Sequence, residues 1–245
     1  MYRGISNTHN NNYKPTVLES ERLVLIVYLA GVCKMQESLT PHRLQQAVQD
    51  LIKRDPAFAE IINCYDFPPF WQREPGFSTL IHIILEQQVS LASAHAAYKR
   101  LQTQCSPLTP EKFLKLTAVE LKQIGFSRQK TSYGRALAHA ILDETLDLDS
   151  LDTRSDQAVL EQLMQVKGIG VWTANIYILM VLKRPDIWPK GDLALQTAIQ
   201  QLKGLTKRPT SDEAQMMSEV WRPWRAVAAR LLWHFYLSKR QQVYP

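Results

Sequence analysis

Asp192 sits in WPKGDLALQ (Trp188–Gln196), after a glycine and before an amphipathic run. Aspartate is a preferred helix N-cap, and capping is the simplest role for this side chain. The same carboxylate, placed in a cleft, can take a proton from water or face a developing positive charge. The two roles are compatible. Upstream lies VKGIGVWTANIYIL (Val166–Leu179), which gathers two of the chain's nine glycines around Ile169. Gly168 and Gly170 tolerate positive φ and allow close approach of another backbone or a ligand. A helix starting near Val171 presents unpaired N–H groups and a partial positive charge, a natural phosphate seat. Lys167 adds a charge on that turn, and Ile169 can point back between two helices. A plain helix connection with a glycine C-cap is the bland alternative.

The elements that must position these residues are helices. Thr40-Pro41 reads as an N-cap with proline at the first helical position, and Leu44, Val48, Leu51 and Ile52 fall on one face of the helix that follows. DFPPFWQREPGF (Asp66–Phe77) is a proline-rich connector, and a long apolar segment starts near Ser78. Thr109-Pro110 opens another helix, Thr117 and Glu120 form a capping box, Gly125 stops that helix, and Ser127 starts the next. Ser155 caps a helix through Leu163 and Met164, so a helix–turn–helix occupies about 155–182. Further helices are predicted over about 171–183, 193–203 and 221–238. Strand-like alternation is nearly absent. The fold class is therefore all-α. Residues 1–38 form an N-terminal extension, and 39–245 form the core. Residues 1–20 are polar and asparagine-rich and are expected to be disordered, whereas 21–35 fit a strand, a packed helix or dispensable upstream sequence.

The 245 residues are 45% hydrophobic and 21% charged, the ordinary balance of a globular protein, and carry a formal charge of +6. Most of that excess lies beyond residue 150, which favours a polyanionic partner. Cys33, Cys64 and Cys105 are far apart and form no CxxC, so neither a zinc site nor a disulfide framework is implied. The longest early apolar run, Leu23–Cys33, is too short to span a bilayer and is poorly flanked for export. A cytoplasmic location and a monomer are the expectations.

LMQVKGIGVWTANIYIL (Leu163–Leu179) resembles the helix-hairpin-helix of the HhH-GPD DNA glycosylases. Leu163, Gly168, Ile169, Gly170, Thr173 and Ala174 match that pattern, and Lys167 stands where proline is usual. Three further segments are similar to the DNA-3-methyladenine glycosylase II group: ILEQQVSLASA (Ile84–Ala94), GFSRQK (Gly125–Lys130) and WRPWRAVAARLLW (Trp221–Trp233). The likeness covers about residues 40–238. It implies a two-lobed helical fold with the active site in the cleft between lobes. It implies duplex DNA with damaged bases as the partner, gripped at Lys167, Gly168, Ile169, Gly170, Gln87, Gln88 and Ser90. Na+ or K+ would be held by the backbone carbonyls of Met164, Val166 and Ile169. Asp192 would be catalytic, facing an oxocarbenium-like sugar as the base departs. Bifunctional relatives carry a lysine where this chain has Trp172, so a hydrolytic, monofunctional reaction is implied. No cysteine follows Cys105, so no iron–sulfur cluster is expected.

The resemblance makes Trp172, Ile176 and Trp233 the walls of the base pocket. Aromatic walls suit alkylated purines, which carry positive charge and attract electron-rich rings. Core packing is the alternative for both tryptophans. Ile176 replaces a pocket tyrosine, and Tyr177 is turned about 100° away on the helix. Gln88 takes the position of an intercalating leucine. Gln87 and Ser90 could instead bridge or cap within a helix, and Arg128, Lys130 and Arg135 could form a solvated face. Arg225 fits either a carboxylate or a DNA phosphate, and His82, His95, His139 and His234 read as structural. A non-catalytic module for distorted duplex, or a glycosylase for uracil, mismatched or oxidised bases, remain the competing readings.

Overall fold

The computed structural model describes residues 38–242 and Tyr244; the expectations for the N-terminal extension lie outside these residues, apart from Ser38. Twelve α-helices and two short 3-10 turns follow one another, and no strand occurs among the described residues. The helices are α1 (Pro41–Arg54), α2 (Ala57–Tyr65), α3 (Phe77–Glu86), α4 (Leu91–Gln104), α5 (Pro110–Lys115) and α6 (Ala118–Ile124). They continue as α7 (Arg128–Leu142), α8 (Asp156–Met164), α9 (Val171–Met180), α10 (Leu193–Leu202), α11 (Ser211–Ser218) and α12 (Arg225–Ser238). The predicted starts are built as the sequence implies. Thr40, Thr109, Ser127 and Ser155 each accept from a backbone N–H in the first turn, and Thr117 and Glu120 cap reciprocally.

Two lobes result. The first gathers α1 and α2 with α10, α11 and α12, so the first and last described helices meet in it; the second holds α3 to α8. Helix α9 packs on α8 and α3, and the far end of α9 is tied to the first lobe by Arg230, whose Nη2 donates to the Leu179 carbonyl at 3.1 Å. Every residue of α9 from Thr173 to Met180 is buried, which accounts for its mostly apolar sequence; the polar exceptions, Thr173 and Asn175, are both hydrogen-bonded. Tyr177 is fully buried on the core side, so it does not supply the aromatic missing at Ile176.

Three boundaries differ from the sequence reading. The apolar segment from Phe77 does not run on through Ile84–Ala94 as one helix: α3 ends at Glu86, Gln87–Ser90 form a turn, and Ser90 caps α4 by accepting from the Ser93 N–H. Gln88 turns the chain at φ 57, a left-handed conformation that no glycine announces. The last helix starts at Arg225 rather than 221, because Pro223 cannot lie inside a helix; a 3-10 turn, Glu219–Trp221, precedes it. Helices α2 and α11 fall where the sequence reading placed none, α11 under a capping box of Thr210 and Glu213.

Candidate active site

The hairpin is α8, a short turn and α9. Gly168 has φ 95, and a Cβ there would lie 2.0 Å from Cγ of Tyr133, so both the backbone and the neighbouring ring demand glycine. Gly170 is different from the expectation: its φ of −96 is ordinary extended backbone, and a Cβ there would meet nothing within 4 Å. Nothing inside the protein requires glycine at 170, so its bareness faces outward. Ile169 is buried, as expected, while Lys167 and Gly170 are exposed. Helix α9 has no side-chain cap, which leaves its first N–H groups open at this surface.

Gln87, in the turn after α3, fixes the hairpin. Its Nε2 donates to the Gly168 carbonyl and to the Thr173 hydroxyl, both at 2.9 Å. Both donors of the amide are thus engaged, leaving its carbonyl oxygen as acceptor. Gln88, Val89 and Ser90 are exposed and line the cleft beside it.

Asp192 is delivered by the loop between α9 and α10. Asn175 donates to the Trp188 carbonyl at 2.9 Å and pins that loop to α9, and Gly191, at φ 88, turns the chain just before the aspartate. The capping expectation holds for one oxygen: Oδ1 accepts from the Leu195 N–H at 2.9 Å. Oδ2 accepts from the indole N–H of Trp172 at 3.0 Å. Burial pushes the carboxyl up from the usual carboxylate range, while Trp172, the Leu195 N–H and Trp233 favour the ionised form. The side chain is nonetheless only half-buried by accessibility, because the surrounding protein leaves it open towards one cleft.

That cleft has a volume of 1690 Å³ and brings Asp192, Trp172, Ile176 and Trp233 together with Gln87–Ser90 and Gly168–Gly170. Ile176 and Trp233 are nearly inaccessible, and Trp172 is half-buried. Helix α9 lines the cleft through Trp172, Thr173, Ile176 and Met180, and α12 through Trp233, Tyr236 and Leu237, with α4 and α7 contributing to its other side. Trp221 and Trp224 pack elsewhere, donating to Asp55 and Asp50. Arg225 binds carboxylates of Asp186 and Glu219, which settles its partner within the protein.

Several lining residues were not read from the sequence as parts of the site. Tyr133 lies against the hairpin glycine, and Lys130, far from being a solvated face, donates to the Leu85 carbonyl at 2.7 Å with its ammonium pKa lowered by burial. Glu86 and Tyr244 line the cleft, and Arg73, from a third segment, bonds both of them. Only the aromatic content of WQREPGF and the chain's last residues hinted at these, and no spacing rule links them.

The sequence profile of HhH-GPD superfamily base excision DNA repair proteins matches residues 81–226. The chain belongs to that superfamily. It is similar to DNA-3-methyladenine glycosylase 1 of Schizosaccharomyces pombe, with 28% identity over 166 residues, 66% of this chain and 72% of that protein. It is similar also to DNA-3-methyladenine glycosylase of Bacillus subtilis, 26% identical over 169 residues, 64% of this chain. The match spans only 56% of the Bacillus protein's length. Among solved structures, S. pombe 3-methyladenine DNA glycosylase (Mag1) in complex with abasic DNA superposes with a TM-score of 0.71 at 22% identity, covering 81% of this chain and 97% of the other. HhH-GPD membership and an all-helical fold thus agree with the expectations. No helix among the described residues is long and apolar enough to cross a membrane.

Proposed function

We propose that this protein is a monofunctional DNA glycosylase that hydrolyses the N-glycosidic bond of alkylated purines, of the 3-methyladenine and 7-methylguanine type, in base excision repair. One observation carries the reading: the Asp192 carboxylate opens on a tryptophan-walled cleft that also contains the Gly168–Gly170 turn. The names of the similar proteins support the same substrate class, and the DNA in the Mag1 complex supports duplex DNA as partner.

The residues divide the work. The open N–H groups of α9, the bare Gly170 backbone and Lys167 would seat strand phosphates, which positions the duplex without reading sequence. The lesion leaves the stack and enters between Trp172 and Trp233, whose rings attract a cationic base. As the glycosidic bond breaks, its electron pair leaves with the base and positive charge builds on the sugar. Asp192 faces that charge and accepts a proton from the water that adds to the anomeric carbon. Trp172 replaces any amine nucleophile at this position, so the reaction is hydrolysis without a Schiff base.

A monovalent cation fits the hairpin on one structural observation. Met164 ends α8, where final carbonyls lack intrahelical partners, and the Val166 carbonyl accepts only the Ile169 N–H at 3.0 Å among the backbone bonds of the turn. With the carbonyl of Ile169 these oxygens would hold Na+ or K+, which would neutralise phosphate charge at the turn.

The non-catalytic reading needs an aspartate that only caps. Here the second oxygen is held by Trp172 in the cleft, and capping alone does not use it. The deciding experiment incubates the protein with duplex DNA containing 3-methyladenine or 7-methylguanine and measures released base. Release by the wild type and its loss in Asp192→Asn supports the proposal; a fully active variant refutes it.

A further inference from the structure

The cleft does not end at the tryptophans. Lining residues of α9 recur one turn apart as Trp172, Ile176 and Met180, each turn advancing about 5.4 Å. At the Met180 level the Arg73 N–H donates to the Met180 carbonyl at 3.0 Å, which fixes Arg73 beside the inner end. Its guanidinium grips Glu86 with two bonds, of 2.5 and 3.1 Å, and also donates to the Tyr244 hydroxyl. Glu86 is almost wholly buried, and both its oxygens are taken by Arg73. The Tyr244 ring is held in place by Trp71, with centroids 5.3 Å apart, and by the Arg73 guanidinium, 5.5 Å from its centre. Glu86 and Tyr244 both line the same cleft as Asp192.

A phenol in this setting has one remaining capacity that matters. Its oxygen already accepts from Arg73, and the ring is wedged, so its proton is left to donate. Burial and the nearby Glu86 charge hold the phenol neutral, well above its usual titration range, so that proton is present at any physiological pH.

We propose that Tyr244 is a specificity residue of the base pocket: held by Arg73, Glu86 and Trp71, its hydroxyl donates to an acceptor on the edge of the extruded base remote from the sugar. Guanine-type lesions carry a carbonyl oxygen at that edge. At that same position adenine-type lesions carry an amino group, which donates, and their acceptor is the adjacent ring nitrogen instead. The pocket therefore favours guanine-type alkylated bases more than its apolar walls alone would. Tyr244 also supplies, from a distant part of the chain, an aromatic residue to a pocket that has Ile176 on α9. This inference rests on the glycosylase reading.

The test compares single-turnover release of 7-methylguanine and 3-methyladenine from the same duplex context, using the full chain and its Tyr244→Phe variant. The variant keeps the ring and removes only the hydroxyl. The ratio of guanine-type to adenine-type release should fall roughly fivefold or more, the effect of one lost hydrogen bond. Equal loss on both bases, or a ratio within about twofold of wild type, overturns the inference while leaving the glycosylase reading intact. Tyr244→Leu, which also removes the ring, should lower the ratio as far as Tyr244→Phe; a ratio left at the wild-type value overturns the inference too. Release of neither base by the wild type defeats both readings at once.

Discussion

The indole nitrogen of Trp172 lies 3.0 Å from Oδ2 of Asp192 and donates its proton to it. An aromatic residue in the first turn of α9 is thereby tied to the aspartate of the following loop. It walls the cleft with its ring and holds the carboxylate with its N–H. Burial raises the Asp192 pKa, and this bond opposes the rise.

Replacing Trp172 with phenylalanine should therefore do more than alter packing. Loss of the donor leaves burial less opposed, so the carboxyl protonates at higher pH. The acidic limb of the kcat profile should move up in pH, and the alkaline plateau should fall as well. A limb that stays in place would show that the bond does not tune Asp192.

Asp192→Asn should separate function from stability. Turnover should drop on the order of 100-fold or more, as for loss of a group facing transition-state charge, with DNA binding retained. A raised carboxylate pKa means the ionised form is disfavoured by folding, a cost present above the folded pKa and relieved as pH falls. Asparagine removes that cost and still caps. At neutral pH the variant should melt above the wild type; at low pH, where Asp192 is protonated, the gap should close.

The two hairpin glycines should fail differently. Gly168→Ala forces a positive φ on alanine and drives its Cβ into Tyr133, at a cost of more than about 2 kcal/mol. Gly170→Ala has ordinary backbone and open space, so it should fold normally but bind duplex more weakly, because the added methyl faces the strand. Thermal melts and DNA titrations of the pair check this. A Gly170→Ala protein with unchanged affinity would remove the turn from the DNA surface.

Gln87→Ala leaves the Gly168 carbonyl and the Thr173 hydroxyl without this partner. The expected cost is about 1–3 kcal/mol in chemical denaturation, with a larger loss in DNA affinity than in stability if the hairpin loosens.

His82 should give the protein an acid-sensitive stability. Burial, then the charges of Arg73 and His95, lower its pKa to about 3, and its ring stacks on Tyr98 at 4.1 Å. Glu86 lies 3.7 Å away but is already engaged by Arg73, so it does little to raise it. The unfolded chain binds this proton near the ordinary histidine pKa, the folded one does not. Stability should decline as pH drops from about 6.5 towards 3, by up to about 1.4 kcal/mol per unit from this group. His82→Phe should flatten that slope; a slope unchanged by the substitution counts against it.

Much of this protein was legible residue by residue. The caps at Thr40, Thr109, Thr117, Ser127 and Ser155, the glycine turn around Ile169 and the helix after Asp192 are short-range features, written in side chains that bond to backbone within a turn of themselves. Candidate roles for Asp192 and Trp172 could be proposed because the segments that hold them resemble those of the HhH-GPD glycosylases. Their mutual hydrogen bond could not, since α9 and the loop before α10 meet only after packing. The break at Gln87–Ser90 was hidden because EQQVS contains neither glycine nor proline; the turn forms where Gln87 finds its partners on the hairpin. Lys130, Tyr133, Glu86 and Tyr244 reach the cleft from segments whose local patterns say only helix or tail, and Arg73 ties two of them together from a connector. Sequence by itself determined the all-helical class, most helix starts and which residues could react, because those depend on neighbours along the chain. Only the tertiary structure decided what surrounds the carboxylate and how the cleft ends, because burial and long-range hydrogen bonds exist only once distant segments share one interior.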